Sequence, residues 1–281
     1  MTTTLRPTAP EQRTADGVRS RSYDVCVNSR PVGRIDLATH RQFGPGAGRI
    51  LRLAIDERDR HRGRGTVAAL AAEEVLRGWG CDRVEVSVDA EADVALGLAG
   101  ALGYVERNRN MAKPLTTAPR LPEGTGARPM TDAEYTAWDE LARADYARSW
   151  AERGVPDAEA EAKAAADHRR LLPDGPATPG VILRVLTHHG APVGTLWVTL
   201  RPDGPDDLDE PGAYVYKVEV AQEHRGRGHG RSLMLLAETE ALTGGATTLG
   251  LNVFAGNTPA LTLYESLGYR PTEFHLYKPL L

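Results

Sequence analysis

Three short strings occur twice in this chain, in the same order, and that repetition restricts the folds open to it more than any other feature. Pro31-Val32-Gly33 returns as Pro192-Val193-Gly194, each copy after a polar turn and before an alternating apolar run that reads as the second strand of a hairpin. Arg62-Gly63-Arg64-Gly65 returns as Arg225-Gly226-Arg227-Gly228, each between an apolar strand and an Ala/Leu-rich helix. Leu102-Gly103-Tyr104 returns as Leu267-Gly268-Tyr269, and both copies are followed at the same distance by Lys-Pro-Leu, at 113–115 and 278–280. The offsets are 161, 163 and 165 residues, which two insertions of two residues explain. A tandem duplication follows, and 281 residues leave room for two domains of ordinary size. The expected boundaries are 22–115 and 127–281, after a flexible stretch at 1–21. The linker between them, 116–126, is marked by Pro119, Pro122, Gly124 and Gly126.

The halves differ at their starts. Between the linker and the second hairpin lie two segments with helical signals. One runs from the capping pair Thr131 and Glu134 through Tyr135, Trp138, Ala142 and Trp150 to a stop at Gly154 and Pro156. The other, Asp157 to Leu172, is alanine-rich and ends at Pro173-Asp174-Gly175. The first half has only a short, mostly polar stretch before its strand Tyr23 to Val27, so a substrate wall built by such helices is expected in the second half alone.

Composition narrows the function. With 41% hydrophobic and 26% charged residues the chain is globular, and its 34 basic against 38 acidic residues argue against a nucleic-acid partner. Two cysteines, Cys26 and Cys81, build neither a disulfide framework nor a zinc site, so no metal is expected. No run approaches the ~20 residues of a spanning helix, and Met1 to Ala15 carries no signal-peptide core. The expectation is a cytoplasmic protein with no membrane partner, a monomer or homodimer.

The residues that carry chemistry lie after the strand Tyr214 to Val220. The turn Arg225-Gly226-Arg227-Gly228-His229-Gly230 opens a helix, where successive backbone N–H groups and the helix dipole favour an anion. Glycines let the backbone close on a diphosphate, and Arg225, Arg227 and Arg231 add charge-assisted contacts. The turn has neither the Gly-Lys-Ser/Thr of a nucleotide-triphosphate loop nor the pattern of a dinucleotide fold.

Arg225, Gly228 and Gly230, in the pattern [Q/R]-x-x-G-x-[G/A], resemble the acetyl-CoA signature of the GNAT N-acetyltransferase superfamily. Its second signature reads here as the strand Leu249 to Val253, Asn257, Ala260, Leu263 and Tyr264, then Leu267-Gly268-Tyr269. The resemblance covers essentially the whole second half. It implies an α+β fold of two tandem GNAT domains, each a mostly antiparallel, splayed sheet flanked by helices, the first truncated. It also implies acetyl-CoA as cosubstrate, bound by Val218, Val220, Arg225, Gly226, Gly228, Gly230, Arg231 and Asn257. In the first half Arg62 and Gly65 match, but Val67 falls opposite Gly230, Ala99 opposite Tyr264 and Ala92 opposite Asn257. That copy reads as decayed, with a structural role.

The implied reaction is direct transfer to an amine, with the Val220 N–H at the developing oxyanion and Tyr264 as general acid. Tyr264 also fits a core position, since Leu261, Tyr264 and Leu267 repeat every three residues. Glu219 is the candidate base. By alternation it lies opposite the face of Val218 and Tyr216, where it either meets the acceptor or pairs with Lys217 or Arg227. Tyr214 and Tyr216 stand where other family members place an acid, so a water-relayed proton is the alternative. His188 and His189 read as a solvated hairpin tip, the four tryptophans as packing, and His168 and Tyr146 as possible acceptor contacts. The expected acceptor is a small-molecule amine. The tandem layout is similar to that of a family member acetylating a cysteinyl amine, and a protein N-terminus is a third class. A non-catalytic acyl-CoA sensor is the competing reading.

Overall fold

The structure, a computed structural model, describes residues 3–201 and 212–280. It divides into two compact units, one running to Asn108 and resuming at Glu273, the other Arg109–Thr272. In the first half the elements are β1 (Thr3–Pro7), β2 (Gln12–Arg13), β3 (Arg19–Val27), β4 (Arg30–His40), β5 (Gly44–Ile55), α1 (Arg64–Gly78), β6 (Arg83–Asp89), α2 (Asp93–Ala101) and β7 (Val105–Pro114). In the second half they are β8 (Thr125–Pro129), α3 (Asp132–Ala151), α4 (Asp157–Leu171), β9 (Val181–His188), β10 (Ala191–Arg201), β11 (Gly212–Val220), α5 (His229–Thr243), β12 (Thr248–Phe254), α6 (Thr258–Ser266) and β13 (Arg270–Pro279).

The first unit's strands run in the order β1-β3-β4-β5-β6-β13, with β2 beside β3. Its core joins Val25, Ile35 and Leu37 of the sheet to Ala68, Ala72 and Leu76 of α1. The second unit's order is β7-β12-β11-β10-β9-β8. One face of that sheet packs on α5 through Leu196, Val198, Leu233, Met234 and Leu249. The other face packs on α3, where Trp138 meets Trp197 edge-on with ring centroids 5.7 Å apart. Thr131 and Glu134 start α3 with the expected capping box. Among the described residues no helix is long and apolar enough to cross a membrane.

All sheet pairs but one in each unit are antiparallel among those with a described register, and the parallel pair is short in both. β5 and β6 pair only from Ala47↔Arg83 to Arg49↔Glu85. β11 and β12 pair only from Ala213↔Leu249 to Val215↔Leu251. Beyond these three residues each pair of strands diverges, which is the expected splay.

The units do not break at the linker. β13 pairs antiparallel with β6, from Glu273↔Asp89 to Pro279↔Arg83, so it completes the first unit's sheet although it follows the second copy of Leu-Gly-Tyr. β7 lies beside β12, and Leu115 N–H donates to the Thr247 carbonyl at 2.8 Å. The two Lys-Pro-Leu strings are therefore exchanged. Lys113 Nζ lies 2.7 Å from Glu238 of α5, and Lys278 Nζ lies 2.7 Å from Glu73 of α1. Two other expectations are corrected. Thr3–Pro7, expected in a flexible stretch, is a strand held by backbone pairing with Tyr23–Val27 and by an Arg6–Asp24 ion pair at 2.9 Å. Thr125 and Gly126, expected in the linker, pair with His188 and Thr187 of β9. Neither segment has an apolar pattern, because backbone hydrogen bonds alone extend a sheet at its edge.

Candidate active site

The site follows from how β11 ends. Ala221 N–H donates to the Val193 carbonyl at 3.0 Å, across the pair Gly194↔Val220. In an antiparallel ladder this makes Gly194↔Val220 a non-hydrogen-bonded pair, so the Val220 N–H and C=O point away from β10. Val218, two residues earlier and paired with Leu196, points the same way. Pairing with β12 has already stopped at Val215, so the backbone edges of Val218 and Val220 face the mouth of the splay.

The turn after β11 closes that mouth. Gly226 (φ 75) and Gly228 (φ 84) take left-handed conformations, and Gly228 is the N-cap of α5. The first internal bond of α5 runs from Arg231 N–H to the Gly228 carbonyl at 3.0 Å, leaving the preceding amides at the helix start. A Cβ on Gly230 would stand 3.3 Å from Leu263 Cδ2, so this glycine lets α5 approach α6 closely. Arg225 Nε donates to the Val220 carbonyl at 3.2 Å, folding the turn back on β11. Arg231 donates to Ser266 Oγ at 2.7 Å, at the far end of α6. Asn257 caps α6, its Oδ1 accepting from Ala260 N–H at 3.3 Å. Tyr264 packs half-buried against the α5-side core, as do Val218, Val220 and Leu263. Burial pushes its phenol up to about 12, so it stays protonated through the physiological range.

Glu219 stands on the other face of the sheet. The register shift between Trp197 and Val198 leaves Tyr216 as an extra residue between Lys217, opposite Trp197, and Val215, opposite Val198. Strict alternation, which grouped Tyr216 with Val218, fails at this bulge. Tyr216 stacks on Trp197 with ring centroids 4.7 Å apart, on the α3 side. Lys217 Nζ bridges Asp145 of α3 at 3.2 Å and Glu219 at 3.3 Å. Glu219 thus meets Lys217, and both face the helical wall. Asp145 was invisible in sequence because it lies 72 positions from its partner. His168 and Tyr146, considered as acceptor contacts, are held between α3 and α4. His168 Nδ1 lies 2.9 Å from Asp139, and the Tyr146 hydroxyl donates to Asp167 at 3.2 Å.

His188 is more than a hairpin tip. Its ring centroid lies 5.1 Å from that of His229, the first residue of α5, and His224 lies 6.1 Å from His229 on another side. Burial, together with the charges of His188, His224 and Arg227, lowers the His229 pKa. The pattern carried no signal for this cluster, since residues 188, 224 and 229 come from three separate segments.

The first unit corrects the sequence register. Gly63 (φ 70) is the N-cap of α1 as Gly228 is of α5, an offset of 165 rather than 163. Arg60 Nε donates to the Ile55 carbonyl at 2.9 Å, as Arg225 does to Val220. A Cβ on Gly65 would stand 3.4 Å from Leu98 Cδ2, as Gly230 does from Leu263. The first turn is therefore Arg60-x-x-Gly63-x-Gly65, with every position of the second turn's pattern present. Val67 does not stand opposite Gly230. Ala99 still corresponds to Tyr264 and Ala92 to Asn257, so the decay lies outside the glycines of the turn.

Comparison with known proteins follows the same division. The acetyltransferase (GNAT) family matches residues 3–104 and 135–269. The mycothiol acetyltransferase of Thermobispora bispora is 31% identical over 214 residues, covering 74% of this chain and 68% of the relative. That of Mycolicibacterium smegmatis is 27% identical over 256 residues, covering 89% and 81%. Among solved structures, a tandem GNAT protein from the clavulanic acid biosynthesis pathway superposes with a TM-score of 0.50 at 18% identity, over 94% of this chain and 84% of the other, a likeness of fold.

Proposed function

This chain belongs to the acetyltransferase (GNAT) family and is an acyltransferase, and from that premise we propose that its second unit moves the acetyl group of acetyl-CoA to a primary amine of a small molecule by direct attack. The observation that carries the reading is the divergence of β11 from β12 after Val215, beside the Arg225–Gly230 turn and the half-buried Tyr264. The donor supplies an activated thioester carbonyl, and the fit of the site to it rests on the left-handed glycines and on the Gly230 close approach.

The turn amides, with Gly226, Gly228 and Gly230 and the guanidinium groups of Arg225 and Arg231, hold the diphosphate. The backbone edges of Val218 and Val220 receive the pantetheine arm, and the Asn257 amide extends that contact. Val220 N–H donates to the carbonyl oxygen as negative charge develops there. A lysine-like amine is only about 0.1% deprotonated near pH 7.4, so its proton must be taken up as it attacks. Glu219 accepts that proton, with Lys217 holding its carboxylate on the wall side. Tyr264 gives a proton to the departing thiolate, and its burial keeps that proton available.

A second reading, a cysteinyl amine as acceptor, is favoured by the likeness to mycothiol acetyltransferases along most of the chain. Thiol release from acetyl-CoA across a panel of amines, cysteinyl amines included, tests both. The parent releases thiol with at least one amine, and Tyr264→Phe lowers kcat by 10²- to 10⁴-fold while leaving KM for acetyl-CoA nearly unchanged. Stabilisation by CoA without thiol release for any amine refutes transferase chemistry here, and parental turnover in Tyr264→Phe removes the phenol from the mechanism.

A further inference from the structure

The splay of the first unit holds an open cleft of about 890 Å³, large enough for a cofactor-sized ligand. Arg60, His61, Gly63, Arg64 and Gly65 of the first turn form part of its wall. Every backbone feature that suits the second turn to a diphosphate is repeated there. Asp56 N–H donates to the Val32 carbonyl at 2.9 Å, so Ile55 and Leu53 turn their backbone edges to the splay as Val220 and Val218 do. His61 (φ 56) takes the left-handed conformation of Gly226.

The side chains differ: Thr66 stands opposite Arg231 and Ala92 opposite Asn257, and the groups that would make the site react are gone. Ala99 replaces the Tyr264 phenol, Ala54 replaces the Glu219 carboxylate, and Leu51 replaces Tyr216 at the matching bulge between Asp36 and Leu37. The phenol ring is gone without a larger residue to refill its place. Most of the wall is apolar, with Ile50, Leu53, Val86, Val88, Leu98 and Leu102, while Asp59, Asp89, Glu91 and Asp93 also line it. A turn with this backbone, joined to an apolar chamber that lacks the phenol, suits a coenzyme A thioester with a hydrocarbon tail.

We propose that the first unit binds an acyl-CoA whose acyl chain is longer than acetyl, and holds it without turnover. The site is separate from the proposed second-unit chemistry. Binding is read with no amine present, so failure here leaves that reading standing.

The test is calorimetric titration of the full chain with CoA, acetyl-CoA, butanoyl-CoA and octanoyl-CoA. One of two sites per chain gains about three- to fourfold in affinity per buried methylene until the chamber fills. Ala99→Phe, which refills the phenol position, abolishes that gain and leaves acetyl transfer unchanged. Amide exchange of the parent chain provides a check that needs no variant, since octanoyl-CoA protects the Ile55–Ala68 segment more than acetyl-CoA does. A single site per chain, chain-length dependence that persists in a folded Ala99→Phe, or octanoyl-CoA protection confined to Val220–Ser232 would each overturn the proposal.

Discussion

The exchanged strands make a crossed prediction. Lys278 follows the second copy of Leu-Gly-Tyr in sequence, yet its ammonium lies 2.7 Å from Glu73 of α1 and 5.7 Å over the Tyr104 ring, all within the first unit. The Glu73 side chain is 5% exposed and that of Lys278 24%. Removing one member of a buried pair strands the other and costs about 3–5 kcal/mol, and the partial exposure of Lys278 favours the lower figure. At about 3 kcal/mol the open population of the first unit rises roughly 150-fold in Lys278→Met. Hydrogen exchange followed by mass spectrometry should show that acceleration in α1 and β6, with α5 and β12 unchanged. Lys113→Met should do the reverse through Glu238, whose side chain is 4% exposed. Adding Glu73→Leu to Lys278→Met recovers most of the loss, because an apolar pair carries no stranded charge. Acceleration of α5 rather than α1 in Lys278→Met, or a change below about threefold in both, would refute the exchange of strands as a source of stability.

Two further outcomes concern Glu219 and the buried histidines. Glu219→Gln should lower kcat, measured by thiol release at a fixed pH near 7.4, while KM for acetyl-CoA stays nearly unchanged; parental turnover dismisses Glu219 as base. Burial is the first cause lowering the pKa of His168, His229 and His275 below the usual histidine range. Above about pH 6.5 both folded and unfolded chains leave these rings neutral, so stability is full there. Below it the unfolded chain takes up protons that the folded one resists, and stability is lost as pH falls toward the lowered folded values, by at most about 1.4 kcal/mol per pH unit per ring. The melting temperature should therefore fall between pH 6.5 and 5, and a flat profile over that interval contradicts the burial of these rings as neutral groups.

The duplication, the helical wall and the turn were legible because each depends on local chemistry. Thr131 and Glu134 cap α3 through bonds three residues apart, and Gly228 is required by its own φ. Three things were hidden for separate physical reasons. Strand exchange is a choice of partner, and β7 and β13 carry the same Lys-Pro-Leu, so nothing in either string says which α-helix glutamate it will meet. The bulge at Tyr216 moves one aromatic ring across the sheet without changing the apolar alternation that describes its neighbours.

The register error in the first turn has a cause of a different kind. Arg62-Gly63-Arg64-Gly65 matches Arg225-Gly226-Arg227-Gly228 letter for letter, but a string that repeats itself every two residues can slide by two and still match. Backbone conformation does not slide. Gly63 and Gly228 both occupy the left-handed N-cap, and His61 accepts a positive φ opposite Gly226, so the position two residues earlier is conformationally demanding even though its side chain differs. Letter identity thus placed Val67 where a diphosphate would come and judged the turn broken. Dihedral identity puts Gly65 there instead, and the first unit keeps a turn able to bind while Ala99 leaves it unable to donate a proton. Binding and chemistry are lost independently in a duplicated fold, because one resides in the backbone of a turn and the other in side chains carried by β11 and α6.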